Sequence, residues 1–215
     1  MDGTLLPLEF KPALDGECYY SRKGFYALNM LIVCDYMARV TYYQVGWPGS
    51  VHDNRVWRTC KMGRRSSDYF LPHEYLLTDS AFTPSQHIVP AFKSTRGQPI
   101  PSNNLNFNTL LAKPRIKSEH CISLLKGRFP WLRNIRIRIR GRKDLRRIVE
   151  HVRACVVLHN AFVGAPYEEE WIDERFLPLD FQDELSREVS WEKGGDERRN
   201  QLVGYFSELV GTGIN

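Results

Sequence analysis

The stretch ALNMLIVCDYMARVTYYQVGW, from Ala27 to Trp47, limits the possible folds more than any other part of the chain. It is dense in β-branched and aromatic residues and breaks at Met37–Arg39. That pattern predicts two antiparallel strands joined by a short turn, with Asp35 as a turn residue. Such a hairpin needs further elements to cover its apolar face. MDGTLLPLEF at the start of the chain reads as a strand, and EYLLTDSAF (Glu74 to Phe82) as a short buried one ending in Asp-Ser. IRIRIR, from Ile135 to Arg140, alternates with period two and predicts a strand with Ile inward and Arg outward. RKDLRRIVEHVRACVVLHNAFVG is a strong amphipathic helix pattern: Ile148, Val152, Cys155, Val156, His159 and Phe162 share one side, and Gly164 supplies the stop.

Weaker signals fill the gaps. Ser50 is placed to cap a helix with Val51, Val56 and Trp57 as its apolar residues and Asp53 in its first turn. Ala91 to Asn108 is rich in Gly, Pro, Ser and Asn without periodicity and reads as a loop. A helix is expected from about Phe107 to Phe129, with Ile122, Leu125 and Phe129 facing the core, although Pro114 should start or kink it. A last amphipathic helix is expected over Asp196 to Val210. Three sequential strands followed by helix-crossed ones predict an α/β fold, a mixed sheet flanked by helices.

The 215 residues carry a charge asymmetry. From Pro166 to Asn215 there are 13 Asp/Glu against 5 Lys/Arg; the rest of the chain has 25 Lys/Arg against 12 Asp/Glu. A basic body with an acidic tail points to a polyanion partner, nucleic acid first. No apolar run approaches the roughly 20 residues that span a bilayer. Neither a secretory leader nor a C-x-x-C pair is present among the 5 cysteines, which points to a reducing compartment, the cytosol or the nucleus.

Three carboxylates are placed for chemistry. Asp2 opens the first strand, Asp79 ends YLLTDS, and Glu119 lies on the expected helix, the only acidic residue between Asp79 and Asp144. Carboxylates at strand ends point to the edge of a sheet, where sites commonly form. Converging carboxylates repel unless cations hold them, and oxygen-only ligands suit Mg²⁺ or Mn²⁺. Each residue also has an ordinary reading: turn residue for Asp2, cap for Asp79, and a helix-surface partner of Arg115 or Ser123 for Glu119.

MDGT, QVGWPGSVHDNRVW, YLLTDSAF, SEHCISLLKGRFPWL and RACVVLHNAF occur in this order between Met1 and about Gly164. Together they resemble the nuclease domain of PIF/Harbinger-type transposases and their domesticated relatives, within the DDE superfamily. The resemblance implies a ribonuclease H-like fold over residues 1–164, followed by an acidic C-terminal arm over 165–215 that carries the terminal helix. It implies a metal-dependent endonuclease acting on DNA in the nucleus. Its catalytic and metal-binding triad falls on Asp2, Asp79 and Glu119, which would hold two Mg²⁺ or Mn²⁺ ions. It also implies a separate Myb-like DNA-binding partner protein. The alternative is a catalytically inactive, domesticated DNA-binding or scaffold protein.

Around the triad, Lys126 and Arg128 are the first candidates for phosphate contacts, with Arg133 and Arg136 next. Asp53 reads either as a helix-start residue that holds a loop shape, favoured by the helix dipole, or as a group just behind the metals. His151 and His159 read as hydrogen-bonded or core histidines, since no Cys or third His joins them. Relative to the family, the apolar residues before the first Asp and the helical region ahead of the domain are missing. The first strand is therefore expected to be shortened, with Asp2 beside a charged terminus whose amine competes for it.

Overall fold

In a computed structural model, residues 1–94, 99–165 and 195–211 are described. The strands are β1 Asp2–Pro7, β2 Ala27–Cys34, β3 Val40–Pro48, β4 Leu76–Thr78 and β5 Ile88–Pro90. The helices are α1 Asp53–Thr59, α2 Lys61–Arg64, α3 Ser102–Arg128, α4 Arg142–Ala161 and α5 Gly195–Gly211. These elements form two compact units. One holds residues 2–60 and 117–165; the other holds Met1, 61–116 and 195–211. The span 1–164, read from sequence as one domain, thus contributes to both. Part of the acidic arm, residues 166–194, lies outside the described residues.

The first unit is built on an antiparallel sheet in the order β1-β2-β3. Asp2 pairs with Ile32, Thr4 with Met30 and Leu6 with Leu28, so β1 is paired along its whole length. Alternation sends Leu6, Leu28, Met30 and Ile32 to one face, where they pack with Cys121, Ile122 and Leu125 of α3 and Ile148, Val152 and Val156 of α4. The amphipathic pattern of α4 is thus used as the sequence predicts through His159, whereas Phe162, just past the helix end, is exposed. The β2–β3 register shifts between Asn29 and Met30, opposite Gly46, whose φ of 105° lies in the region that favours glycine.

The turn between β2 and β3 shows what the His-Asn pair of LHNAF does. Asp35 accepts the backbone N–H groups of Met37 and Arg39, both at 2.9 Å. Ala38 adopts a left-handed φ of 62°, and its carbonyl accepts from His159 Nε2 at 2.8 Å. Asn160 then pairs with Val40 as another strand would: its Oδ1 accepts from the Val40 N–H and its Nδ2 donates to the Val40 carbonyl, each at 2.8 Å. The end of α4 therefore clamps the hairpin turn.

The IRIRIR stretch departs from expectation. It forms no ladder, only a single parallel bridge between Ile135 and Leu8. The side-chain alternation holds, with Ile135 and Ile139 buried and Arg136, Arg138 and Arg140 exposed. Its backbone is satisfied piecemeal: Ile135 N–H donates to the Pro7 carbonyl at 2.8 Å, and Ala13 N–H to the Ile139 carbonyl at 2.9 Å. Period two reports an extended chain with one buried face, which does not require a paired neighbour.

In the second unit β4 and β5 pair in parallel. The span read as a loop, Ala91 to Asn108, follows directly on β5, and α3 begins inside it at Ser102. Local propensity favours a loop there, but packing overrides it. Phe107 and Leu111, one turn apart on α3, are buried against Val89, and Phe92 meets Phe107 edge-on with centroids 5.5 Å apart. Asn108 grips the Phe92 backbone with both ends of its amide, at 2.8 and 3.0 Å. Leu202 and Val203 of α5 join this cluster, so the terminal helix expected from sequence is present and docked on this unit. The helix α3 runs unbroken through position 114, where proline supplies no N–H. Helix α1 begins at Asp53 with His52 as its N-cap, not Ser50, and without a side-chain cap bond.

Replacing Asn160 with Ala removes two backbone partners at once and should cost about 2 kcal/mol, about 1 kcal/mol for each bond. Urea unfolding of the two proteins measures this, and an unchanged midpoint would show that the clamp contributes nothing.

Candidate active site

The candidate carboxylates of the first unit are placed by the core-facing side of β1. Asp2 shares the parity of Thr4 and Leu6, so its side chain belongs to the face that α3 covers. Glu119 lies on α3 in one stripe with Ile122, Ser123 and Lys126, at spacings of three, four and seven residues. Both carboxylates are half-buried. Two contacts fix how the helix lies along the sheet. Lys126 Nζ donates to Thr4 Oγ1 at 2.7 Å and to the Leu5 carbonyl at 2.8 Å. Two turns earlier, Cys34 Sγ donates to Ser118 Oγ at 3.7 Å, and Cys34 lies two residues past Ile32, the partner of Asp2. The turn of α3 that carries Glu119 therefore lies toward the Asp2 end of β1.

Lys126 corrects a sequence expectation. It is 4% exposed and sits inside the unit, so it presents no ammonium on the solvated face for a phosphate. A run of basic residues suggests a solvated stripe, but helical spacing turns Lys126 inward beside Ile122 and Leu125. Burial lowers its pKa to about 7, with the charges of Lys23 and Arg133 acting in the same sense and that of Asp2 in the opposite one.

The other basic candidates are placed differently. Arg128 is half-buried, with Nη1 donating to His159 Nδ1 at 3.2 Å. Because Nδ1 accepts and Nε2 donates to Ala38, His159 is the neutral Nε2–H tautomer. Burial lowers its pKa, and the Arg128 charge adds to this against the opposing Ala38 bond. Arg133 Nε donates to the Lys126 carbonyl at 3.1 Å. Arg136 and Arg140 are exposed, and Arg138 lies with its guanidinium 4.4 Å over the ring of Phe10. His151 is exposed, with Nδ1 2.7 Å from the Arg147 carbonyl.

Asp79 belongs to the second unit, directly after β4. Its Oδ1 accepts the Ala81 N–H at 3.0 Å, which holds the turn that follows the strand. In the same unit the terminal amine of Met1 donates to the Leu77 carbonyl at 2.9 Å.

Asp53 lies on the other face of the β-sheet. It shares that face with Gly3 and Asn29, whose parity is opposite to that of Asp2 and Thr4. Asn29 Nδ2 donates to Asp53 Oδ1 at 2.6 Å and to the Val51 carbonyl at 2.9 Å. The Asp53 carboxylate occupies the space a side chain at position 3 would need. The sequence also gave no sign that Cys34 and Cys121 meet. The neighbouring Cys121 thiol, with Ser118, holds Cys34 below the ordinary thiol range, and the same pairing together with burial raises Cys121.

The three carboxylates offer hard oxygen donors, which suit Mg²⁺ or Mn²⁺ in kind. Among the described residues, no group of three or more His, Cys, Asp or Glu lies close enough to hold a metal ion. Also among the described residues, no helix is long and apolar enough to cross a membrane.

The framework is mixed α/β, with one carboxylate on its first strand and another on a helix laid beside it. Residues 1–160 match the family described as DDE superfamily endonuclease, and the chain belongs to that family. It is similar to "Putative nuclease HARBI1" of Rattus norvegicus, Mus musculus and Homo sapiens, 31% identical over 71 residues in each case. That stretch covers 33% of this chain and about a fifth (20%) of each relative. No solved structure matches significantly.

The buried lysine gives a pH signature. Between about 7 and the ordinary lysine value of 10.5, the unfolded chain binds a proton at Lys126 that the folded chain does not. Stability should therefore rise with pH across that window, by up to about 1.4 kcal/mol per pH unit. The contribution is complete above 10.5 and is lost as pH falls toward 7. Denaturation of wild type and Lys126→Met from pH 7 to 9.5 isolates it, and equal slopes would rule out a depressed lysine.

Proposed function

We propose that this chain is a divalent-metal-dependent DNA endonuclease of the transposase-derived kind, with Asp2, Asp79 and Glu119 as its metal ligands and catalytic carboxylates. The observation that carries the reading is the placement of Asp2 and Glu119 on one side of β1, held by the Lys126 bonds to Thr4 and Leu5, in a chain of the DDE endonuclease family. Mg²⁺ or Mn²⁺ ions, when bound, would activate water and stabilise the leaving oxygen in phosphodiester cleavage. The protein's own part is to hold oxygen donors in place and to keep them ionised among basic residues. The ribonuclease H-like fold is part of the same reading.

The exposed arginines of IRIRIR, Arg136 first, suit contacts to a DNA backbone, which give salt-sensitive and sequence-independent affinity. Arg128 and Arg133 stand behind them, engaged with His159 and the Lys126 carbonyl. Base readout by a separate Myb-like partner, in the nucleus, belongs to the same reading.

One observation favours a second reading. The described residues assemble no three-ligand metal group, as a DNA-binding or scaffold protein that no longer cuts would also show. Nicking of supercoiled plasmid in Mg²⁺ or Mn²⁺ separates the two. The nuclease reading predicts nicking by wild type, with Asp2→Asn, Asp79→Asn and Glu119→Gln each reducing it to background while duplex affinity stays within about threefold, since contacts to phosphates supply most of that affinity. Duplex binding without nicking by the wild type would establish the second reading.

A further inference from the structure

We infer that Asp53 is a positioning residue for Asp2, acting through Gly3 from the opposite face of the sheet. The inference rests on the reading of Asp2 as a metal ligand. Three observations carry it. Gly3 is the one residue between Asp2 and Thr4, and strand alternation turns its missing side chain away from the carboxylate face. The space so vacated is filled: a Cβ at Gly3 would fall within the Asp53 carboxylate. The same Gly3 supplies the backbone N–H that donates to Asp2 Oδ1 at 2.8 Å. One residue thus orients Asp2 on one side and abuts Asp53 on the other.

Asp53 is not free to step aside. Asn29, 3% exposed, donates to its Oδ1 at 2.6 Å and through the same amide nitrogen to the Val51 carbonyl. Asn29 itself sits on β2, opposite Leu5 of β1. The sheet, the start of α1 and the Asp2–Gly3 link therefore form one packed assembly. A methyl group at position 3 has to displace either the braced carboxylate or β1, and moving β1 moves Asp2. Removing the Asp53 side chain leaves β1 unsupported at that point. The role is one of shape: an amide in place of the carboxylate keeps an oxygen that can accept from Asn29.

The experiment measures Mn²⁺ affinity by calorimetry on the full chain, with the thermal unfolding midpoint as a check on folding. Asp2→Asn tests the metal reading itself and should abolish specific binding. Asp53→Ala should weaken Mn²⁺ binding by about tenfold or more, the usual effect of losing a group that supports a metal ligand. Asp53→Asn should stay within about threefold of wild type, because the brace from Asn29 survives. Gly3→Ala should weaken binding as Asp53→Ala does, and the pair Gly3→Ala with Asp53→Gly should recover affinity relative to Gly3→Ala alone.

Two results would overturn the proposal while the metal reading stood. One is wild-type Mn²⁺ affinity in folded Asp53→Ala and Gly3→Ala, whatever happens to their midpoints. The other is a loss in Asp53→Asn as large as in Asp53→Ala, which would make Asp53 a charge in the site and not a support. Retained affinity in Asp2→Asn would instead remove the metal reading, and the positioning role with it.

Discussion

Lys126 reaches from the last turns of α3 to the first strand and places two hydrogen bonds there, on Thr4 and Leu5. The order of the candidate site depends on that contact. The helix carries Glu119 two turns before the lysine, and the strand carries Asp2 two residues before the threonine. Tying one pair sets the approach of the other. Burying a long cationic side chain is costly unless its polar end is satisfied, and the depressed pKa near 7 shows how that cost is reduced: the amine gives up its proton more readily. A smaller apolar residue at 126 would pack there more easily. A lysine adds a directional hold on the strand that apolar packing cannot supply.

Much of this framework was legible in the sequence. The hairpin from Ala27 to Trp47 and the amphipathic α4 follow from patterns long enough for period to decide between strand and helix. Elements decided by distant contacts were not legible. Nothing local marks Ser102–Asn108 as helix; Phe107 is helical because Val89 and Phe92 are there to receive it. IRIRIR carries a clean period of two, yet it makes one bridge, since period reports which side is buried and not whether a neighbour pairs. Lys126 read as surface because lysine usually is. Its helical phase, with Ile122 and Leu125 close by, was the signal that could have placed it inside.

The short motifs divide along the same line. LHNAF proves structural: His159 and Asn160 clamp the β2–β3 turn through Ala38 and Val40. Asp-Gly at the first strand and His-Asp before α1 are fifty residues apart in sequence and meet at one point in space, where the Asp53 carboxylate replaces the Gly3 side chain. In the proposed reading these residues share a purpose, the presentation of Asp2. Family membership and the basic body of the chain both support the proposal of DNA as the polyanion, and the 71 matched residues cover 20% of the curated relative's length.

Asp2 and Glu119 are proposed to face each other across the β1–α3 contact as ligands of one metal centre. Crystals grown with Mn²⁺ test it most directly, because anomalous scattering locates the ion without assumption about its ligands. An anomalous peak is expected within bonding distance, about 2.0–2.3 Å for a small divalent ion on oxygen, of carboxylate oxygens from both Asp2 and Glu119. A peak bound elsewhere, or one held by Asp53 on the opposite face of the sheet, would contradict it.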